Sequence, residues 1–455
     1  MSFSVKQLIE DRWGENYELH DRHVNPQFVK VLRTIGFDKI YKRARGPYLY
    51  DKDNNQYLDF LSGYGVFALG RNHPRIKETI REILEMDLPH MVQMDCSLLS
   101  GLLAERLLTL TPHLDTVFFT NSGTEAVEGA IKFSRGATGR DQILYLKNAF
   151  HGLTLGSLSA NGNPEFRDNF GTLLPGKEIP NNDLKALEQE LSQKTYAAFI
   201  FEPIQGKGLY LTETGFLKEA ERLCKKYGTL MIADEVQTGL GRTGRWFAYE
   251  QAGISPDLVC IAKGLSGGFV PIGAILYRRE IYRKIFSKMD RCVVHSNTFG
   301  KNNLAMACGL STLQIMQEEK LPERAESLGA QLLLGINELG KRYEMFKEAR
   351  GRGLMIGIEF QEPKSLKLRA GWKMIHVAHG LFGQMIVVPL LTKHRILTQV
   401  AGHNDLVKLL PPLIIDEKDV QNFLQAFDQV VSDCHKFPGA AWEIGMTLAK
   451  NALSS

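Results

Sequence analysis

The sequence predicts an α/β protein: a large, mostly parallel, doubly wound sheet followed by a smaller α+β lobe. Two observations carry this. From about residue 97 to 318, short apolar runs alternate with helical segments, the pattern of strands joined by crossover helices. After about residue 319 the alternation stops. A third observation points to a site. The run Leu230-Met231-Ile232-Ala233 ends in Asp234-Glu235, and Leu258-Val259-Cys260-Ile261-Ala262 ends in Lys263-Gly264. Ligands of open α/β sheets collect outside the carboxyl ends of the strands, so this carboxylate and amine suggest one shared site; a buried ion pair is the alternative.

At 455 residues, with 44% hydrophobic and 23% charged residues, the chain is expected to be soluble and globular, with two or three lobes. A net charge of +4 over this length makes no basic stripe, so no nucleic-acid partner is expected. The six cysteines are scattered without a C-x-x-C pair and read as free thiols of a reducing compartment. The N-terminus lacks the apolar core of a signal peptide, and no uncharged apolar run reaches the roughly 18 residues a spanning helix needs. A cytoplasmic protein with no membrane partner is expected.

Residues 4 to 42 read as helices and loops. Two β-rich runs, 48–51 and 56–60, flank the turn Lys52-Asp53-Asn54-Asn55 and predict a hairpin. Gly63, Gly65 and Gly70 surround an apolar stretch, Val66-Phe67-Ala68-Leu69, that reads as a pocket wall or an apolar loop. His73-Pro74 opens a helix over 75–86 with Ile76, Ile80, Ile83 and Leu84 on one face. Strands are expected at 116–120, 142–146, 197–201, 230–233, 258–261 and 272–277, and a helix at 214–227 that stops at Gly228. The last lobe should hold a long charged helix to residue 343, strands at 354–360 and 386–389, and closing helices. The tail beyond Phe437, with Trp442, Ile444, Met446 and Leu448, covers the domain or docks a partner.

Ser122 with Glu125 three residues on is a capping box at a helix start. The same strand-to-helix turn, with Gly123 and Thr124, also suits an anion such as phosphate. Gly239-Leu240-Gly241-Arg242-Thr243-Gly244 fits G-x-G-x-x-G literally, but Asp234 to Thr238 separate it from its strand and no helix cap follows, so a nucleotide fingerprint is rejected. Phe150, with His151 and Gly152 behind it, is placed to stack on a planar ring or to fill the core.

As an ordered set these motifs resemble class III (ω-type) pyridoxal-phosphate aminotransferases: Ser122-Gly123-Thr124-Glu125, Phe150-His151-Gly152, Glu202-Pro203-Ile204-Gln205-Gly206, Asp234-Glu235-Val236-Gln237-Thr238-Gly239, Lys263-Gly264 and Thr298-Phe299-Gly300. The resemblance covers about residues 46 to 412. It implies fold type I, with an N-terminal segment (1–70) joining a small domain (319–455) around a large cofactor-binding domain (71–318). It also implies a homodimer and pyridoxal 5'-phosphate, with no metal. In that pattern Lys263 forms the Schiff base and Asp234 pairs with the pyridine nitrogen. Ser122, Gly123 and Thr124 hold the phosphate, joined by Thr298 of the partner subunit. Phe150 stacks on the ring beside His151, Gln237 bonds the ring hydroxyl, and Glu202 lies behind. Arg350, in Arg350-Gly351-Arg352-Gly353-Leu354-Met355, resembles the family's RGxGLM run and could hold a substrate carboxylate or stand in a solvated turn.

The chain departs from the pattern at two places. Lys207 follows the E-P-x-Q-G run where glutamate-using members carry Glu, and Lys408 stands where its Arg partner falls near Pro411-Pro412. Two lysines repel, and neither makes the two-pronged bond of arginine to a carboxylate. The expected reaction is therefore transfer of an amino group from a small-molecule donor to a large or carrier-bound aldehyde or ketone. Tyr64, Val66 and Phe67 would form an apolar wall, and Lys207 or Lys408 would meet an anionic group. Solvated lysines, an aminomutase acting within one substrate, and a non-catalytic scaffold are the alternatives.

Overall fold

A computed structural model describes residues 3–92, 95–375, 381–401, 405–436, 438–439, 441–443 and 445–446. Its central sheet has seven strands, in spatial order Thr116–Thr120, Gly273–Tyr277, Leu258–Ile261, Leu230–Asp234, Tyr196–Phe201, Gln142–Leu146 and Gly176–Ile179. Gly273–Tyr277 runs antiparallel to both neighbours, and the other pairs are parallel. Every residue of Tyr196–Phe201 and Leu258–Ile261 is buried. Strands covered on both faces need no polar alternation, which is why they appear in the sequence as unbroken apolar runs.

The strand Gly176–Ile179 was not expected. It lies at the sheet edge, its sequence is GKEI, and only Ile179 is buried. An edge strand keeps one side in water, so it shows no apolar run.

Two smaller four-stranded sheets flank this layer. Tyr41–Arg45, Tyr48–Asp51 and Gln56–Asp59 form the first, and Ile396–Leu397 joins it parallel to Gln56–Asp59. Phe60 stacks on Phe423 at a ring distance of 5.1 Å, and the Tyr48 hydroxyl donates to Asp419 Oδ1 at 2.6 Å. A fully buried phenylalanine stabilises by roughly 1.5–3 kcal/mol, so the stacked pair is a substantial tie between segments far apart in the chain. The other sheet, Phe346–Arg352, Met355–Phe360, Leu406–Leu409 and Gln399–Val400, is antiparallel throughout.

Residues 386–389, expected as a strand, lie inside the helix Leu381–Thr392. Nine of its twelve residues are buried, with Pro389 within it. A short stretch apolar on all sides carries no period, so helix and strand are indistinguishable until the packing partner, here Glu417–Cys434, is known. Trp442 is fully buried and its Nε1 donates to the Cys434 carbonyl at 2.8 Å, so this part of the tail covers the small sheet's helices. Met446 is exposed, and Ile444 and Leu448 lie outside the described residues. All six cysteines are free thiols, and among the described residues no helix is long and apolar enough to cross a membrane.

Candidate active site

The carboxyl ends of the parallel strands open into a cavity of about 900 Å³, and Asp234 and Lys263 are both on its wall. Their strands are direct neighbours, with Asp234 in register with Cys260. Lys263 leaves its strand with φ +43°, a left-handed conformation that costs a non-glycine residue on the order of 1–3 kcal/mol. Burial draws the Lys263 amine below its ordinary range, against the pull of Asp234 and Glu202.

Asp234 is 5% exposed. Its Oδ2 lies 2.7 Å from His151 Nδ1, and its Oδ1 accepts from the Val236 N–H at 3.1 Å. His151 Nε2 is buried without a partner. With Asp234 accepting at Nδ1, the ring is set as the Nδ1–H tautomer or as imidazolium. The turn behind it is held by Asn161, a fully buried residue that sequence reasoning missed: its Oδ1 accepts from the His151 N–H at 2.7 Å and its Nδ2 donates to the Gly152 carbonyl at 2.8 Å. Its only signal was the turn-prone dipeptide Asn161-Gly162.

Glu202 ties two loops together. Its Oε1 accepts from the Phe150 N–H at 2.9 Å and its Oε2 from the Gly206 N–H at 2.6 Å. Burial pushes this carboxyl up, opposed by His151 and reinforced by Asp234. Phe150 faces the cavity beside Phe166, with ring centroids 5.4 Å apart. Lys207 Nζ sits 4.8 Å from the Phe166 ring centre and 5.9 Å from that of Phe150.

At the other end of the cavity the 16-residue helix Gly123–Thr138 begins, with Ser122, Gly123 and Thr124 on the wall. Ser122 Oγ accepts from the Glu125 N–H at 3.3 Å, but Glu125 Oε2 accepts from Asn121 N–H at 2.8 Å rather than from Ser122, so the expected capping box is half formed. A Cβ on Gly123 would lie 2.6 Å from Val236 Cγ1. Glycine thus lets the helix start close against the loop after Asp234, and the dipole's positive end opens on the cavity.

Lys408, on Leu406–Leu409, is 3% exposed, which removes the solvated-surface alternative for it. Its Nζ donates to Gln237 Oε1 and to the Gly206 carbonyl, both at 2.6 Å. Burial first, then Lys263, draws it down to about 7. Gln237 Nε2 donates to the Tyr64 carbonyl at 3.0 Å, and the Tyr64 hydroxyl accepts from Gln399 Nε2 at 3.0 Å. Tyr64 and Val66 are on the wall.

Three expected residues stand elsewhere. Phe67 packs under the Arg71 guanidinium, 3.8 Å from its ring centre, and is off the wall. Arg350 is neither a cavity ligand nor a solvated turn: it pairs with Glu359, bonds Glu348 at 2.6 Å, and donates to the Gly208 and Leu209 carbonyls at 2.6 and 3.1 Å. Its strand lies beside Met355–Phe360, which brings Glu359 within reach. Thr298 is exposed and off the wall of its own chain. The rejected glycine run is a connection: Arg242 Nη1 donates to the Leu354 and Pro411 carbonyls of the small lobe.

The geometry of these residues fits pyridoxal phosphate: a helix N-terminus for a phosphate, an amine for an aldehyde, and a buried carboxylate for a ring nitrogen share one cavity. Fold and site together define a pyridoxal-phosphate enzyme of fold type I. The chain belongs to the class III aminotransferases, since the family profile "Aminotransferase class-III" matches residues 34–431. Aminotransferase PigE of Serratia sp. (strain ATCC 39006) is 34% identical over 459 residues, covering 93% of this chain and 54% of that protein. The chain thus spans about half the length of that curated relative. Ornithine aminotransferase from Toxoplasma gondii superposes with a TM-score of 0.83 at 26% identity, over 96% of this chain and 99% of that one. An amine transaminase from an uncultivated Pseudomonas species, in its PLP-bound form, gives 0.76 at 27% identity over 87% and 95%.

Proposed function

We propose that this chain moves an amino group from a small-molecule donor to a large aldehyde or ketone, free or carried on a protein-bound arm. The observation that carries the reaction is Lys263 and Asp234 at adjacent strand ends on one cavity that the helix Gly123–Thr138 also faces. When bound, pyridoxal phosphate supplies an electron-withdrawing ring that delocalises the electron pair left on the substrate carbon. Lys263 anchors the aldehyde and, as a free amine lowered by burial, moves the proton at the substrate carbon. Asp234, oriented by His151, holds a proton at the ring nitrogen. Ser122, Gly123 and Thr124 hold the phosphate, with Thr298 of the partner subunit in a homodimer. The exposure of Thr298 and of its neighbours Phe299 and Val293, 54% and 70%, supports that assembly. Phe150 covers the ring face, Gln237 donates to the ring hydroxyl, and Glu202 fixes Phe150 through its N–H.

The lining supports the large acceptor. Tyr64, Val66, Phe166, Phe269 and Val400 make the cavity wall apolar around the cofactor's place. Lys207 lies over aromatic rings and Lys408 is committed to two acceptors, so neither reproduces the carboxylate-gripping pair of glutamate-using members.

A donor and acceptor screen followed by cofactor absorbance tests this. The spectrum should change with an amino donor alone and return with a long-chain aldehyde. Faster recovery with 2-oxoglutarate would overturn the acceptor reading, and turnover needing only one substrate would indicate an aminomutase. Borohydride reduction should leave the cofactor's mass on the Lys263 peptide; an unlabelled peptide would overturn the whole reading.

A further inference from the structure

Gln237 belongs to the loop after Leu230–Asp234, Lys408 to the small antiparallel sheet, and Tyr64 to the N-terminal segment, yet the three meet at the cavity wall. Lys408 Nζ donates to Gln237 Oε1 at 2.6 Å, and Gln237 Nε2 donates to the Tyr64 carbonyl at 3.0 Å. Together these contacts decide which end of the amide points where. Flipped, the amide would aim its NH₂ at another donor and its oxygen at another carbonyl, exchanging two hydrogen bonds for two repulsions. The amide NH₂ carries two hydrogens, and Tyr64 takes one.

We infer that Lys408 is a positioning residue: by donating to Gln237 Oε1 it keeps the Gln237 amide turned so that its N–H end, not its carbonyl, serves the cofactor's ring-hydroxyl oxygen. This rests on the proposed pairing of Gln237 with that oxygen. Lysine suits the task in either protonation state. The ammonium has three N–H donors and the neutral amine two, and its two acceptors, Gln237 Oε1 and the Gly206 carbonyl, are met in both. A buried amine drawn down to about 7 therefore keeps the amide oriented across neutral pH.

The experiment is a double-mutant cycle on the cofactor-loaded enzyme, read by the pH midpoint of the cofactor's absorbance and by its dissociation constant. A donor on the ring oxygen favours the ionised hydroxyl, so its loss raises the midpoint. Gln237→Leu should raise it and weaken cofactor binding about fivefold or more, the worth of one hydrogen bond. Lys408→Met should move both in the same direction, and the double variant should match Gln237→Leu alone. Were Lys408 to act only through its charge near Lys263, Glu202 and Lys207, its effect would instead persist without Gln237. A shift from Lys408→Met that survives in the Gln237→Leu background, or no shift from Lys408→Met, overturns the inference. An unmoved midpoint in Gln237→Leu instead overturns the underlying role of Gln237. If Lys408→Met does not fold, Lys408→Arg keeps charge and donors and should hold the wild-type midpoint; one displaced as far as in Gln237→Leu overturns the inference.

Discussion

Replacing Glu235 by Gln should stabilise the protein at alkaline pH and leave it unchanged in acid. Glu235 is 1% exposed; its Oε2 accepts from the Thr238 hydroxyl at 2.5 Å and its Oε1 from the Tyr249 N–H at 2.8 Å. Burial pushes this carboxyl from 4.5 up to about 7, against the pull of Thr238 and of the Tyr249 and Ala248 N–H groups. Between those values the unfolded chain has lost the proton and the folded chain retains it. The stabilisation is therefore full below 4.5 and is lost as pH rises through about 7, by about 3 kcal/mol at 1.36 kcal/mol per pH unit. Glutamine keeps the shape, accepts from Tyr249 and donates to Thr238, and cannot ionise. The stability gap between variant and wild type should thus widen by about 3 kcal/mol from acid to alkaline pH. Urea unfolding of both proteins at pH 4.5 and pH 8, followed by tryptophan fluorescence, measures the gap. An equal gap at both pH values would refute the reasoning, because it would mean that Glu235 does not change protonation on folding.

Asp234→Asn should lower kcat/KM by about 100- to 10,000-fold while the cofactor still binds, since the amide cannot hold a proton at the ring nitrogen; full activity with normal absorbance would contradict that role. Arg350→Met should cost about 1–3 kcal/mol in unfolding free energy, because Glu359 keeps Lys347 but loses its second cation and the Gly208 and Leu209 carbonyls lose their donor, and should leave KM for the amino donor unchanged; a raised KM at unaltered stability would restore Arg350 as a substrate ligand. Gly329→Ala should cost about 2–3 kcal/mol, read as a lower Tm, because its Cβ would lie 2.0 Å from the Gly353 carbonyl oxygen and push the helix Leu321–Gly340 off the strand turn.

The central strands were legible because burial on both faces leaves a compositional mark, whereas Gly176–Ile179, half in water, left none. Leu381–Thr392 reads as partly strand in sequence, since uniform burial erases the period that separates the two structures. Asn161 and Glu235 act through hydrogen bonds to backbone groups, and a polar residue's partners cannot be read from its neighbours in sequence. In sequence Arg350 reads as a ligand or a solvated side chain, because only strand pairing sets Glu359 within its reach.

By itself the sequence determined that an amine and a carboxylate close two apolar strands, with a glycine-hydroxyl helix start upstream, because strand ends and helix caps are local features. Only the tertiary structure decided what surrounds them. Lys408 and Gln237, 171 positions apart, become partners because the small sheet is laid against the loop after Asp234. A buried lysine donates to whichever acceptors the packing brings near, and that packing is set by the whole fold rather than by the residues on either side.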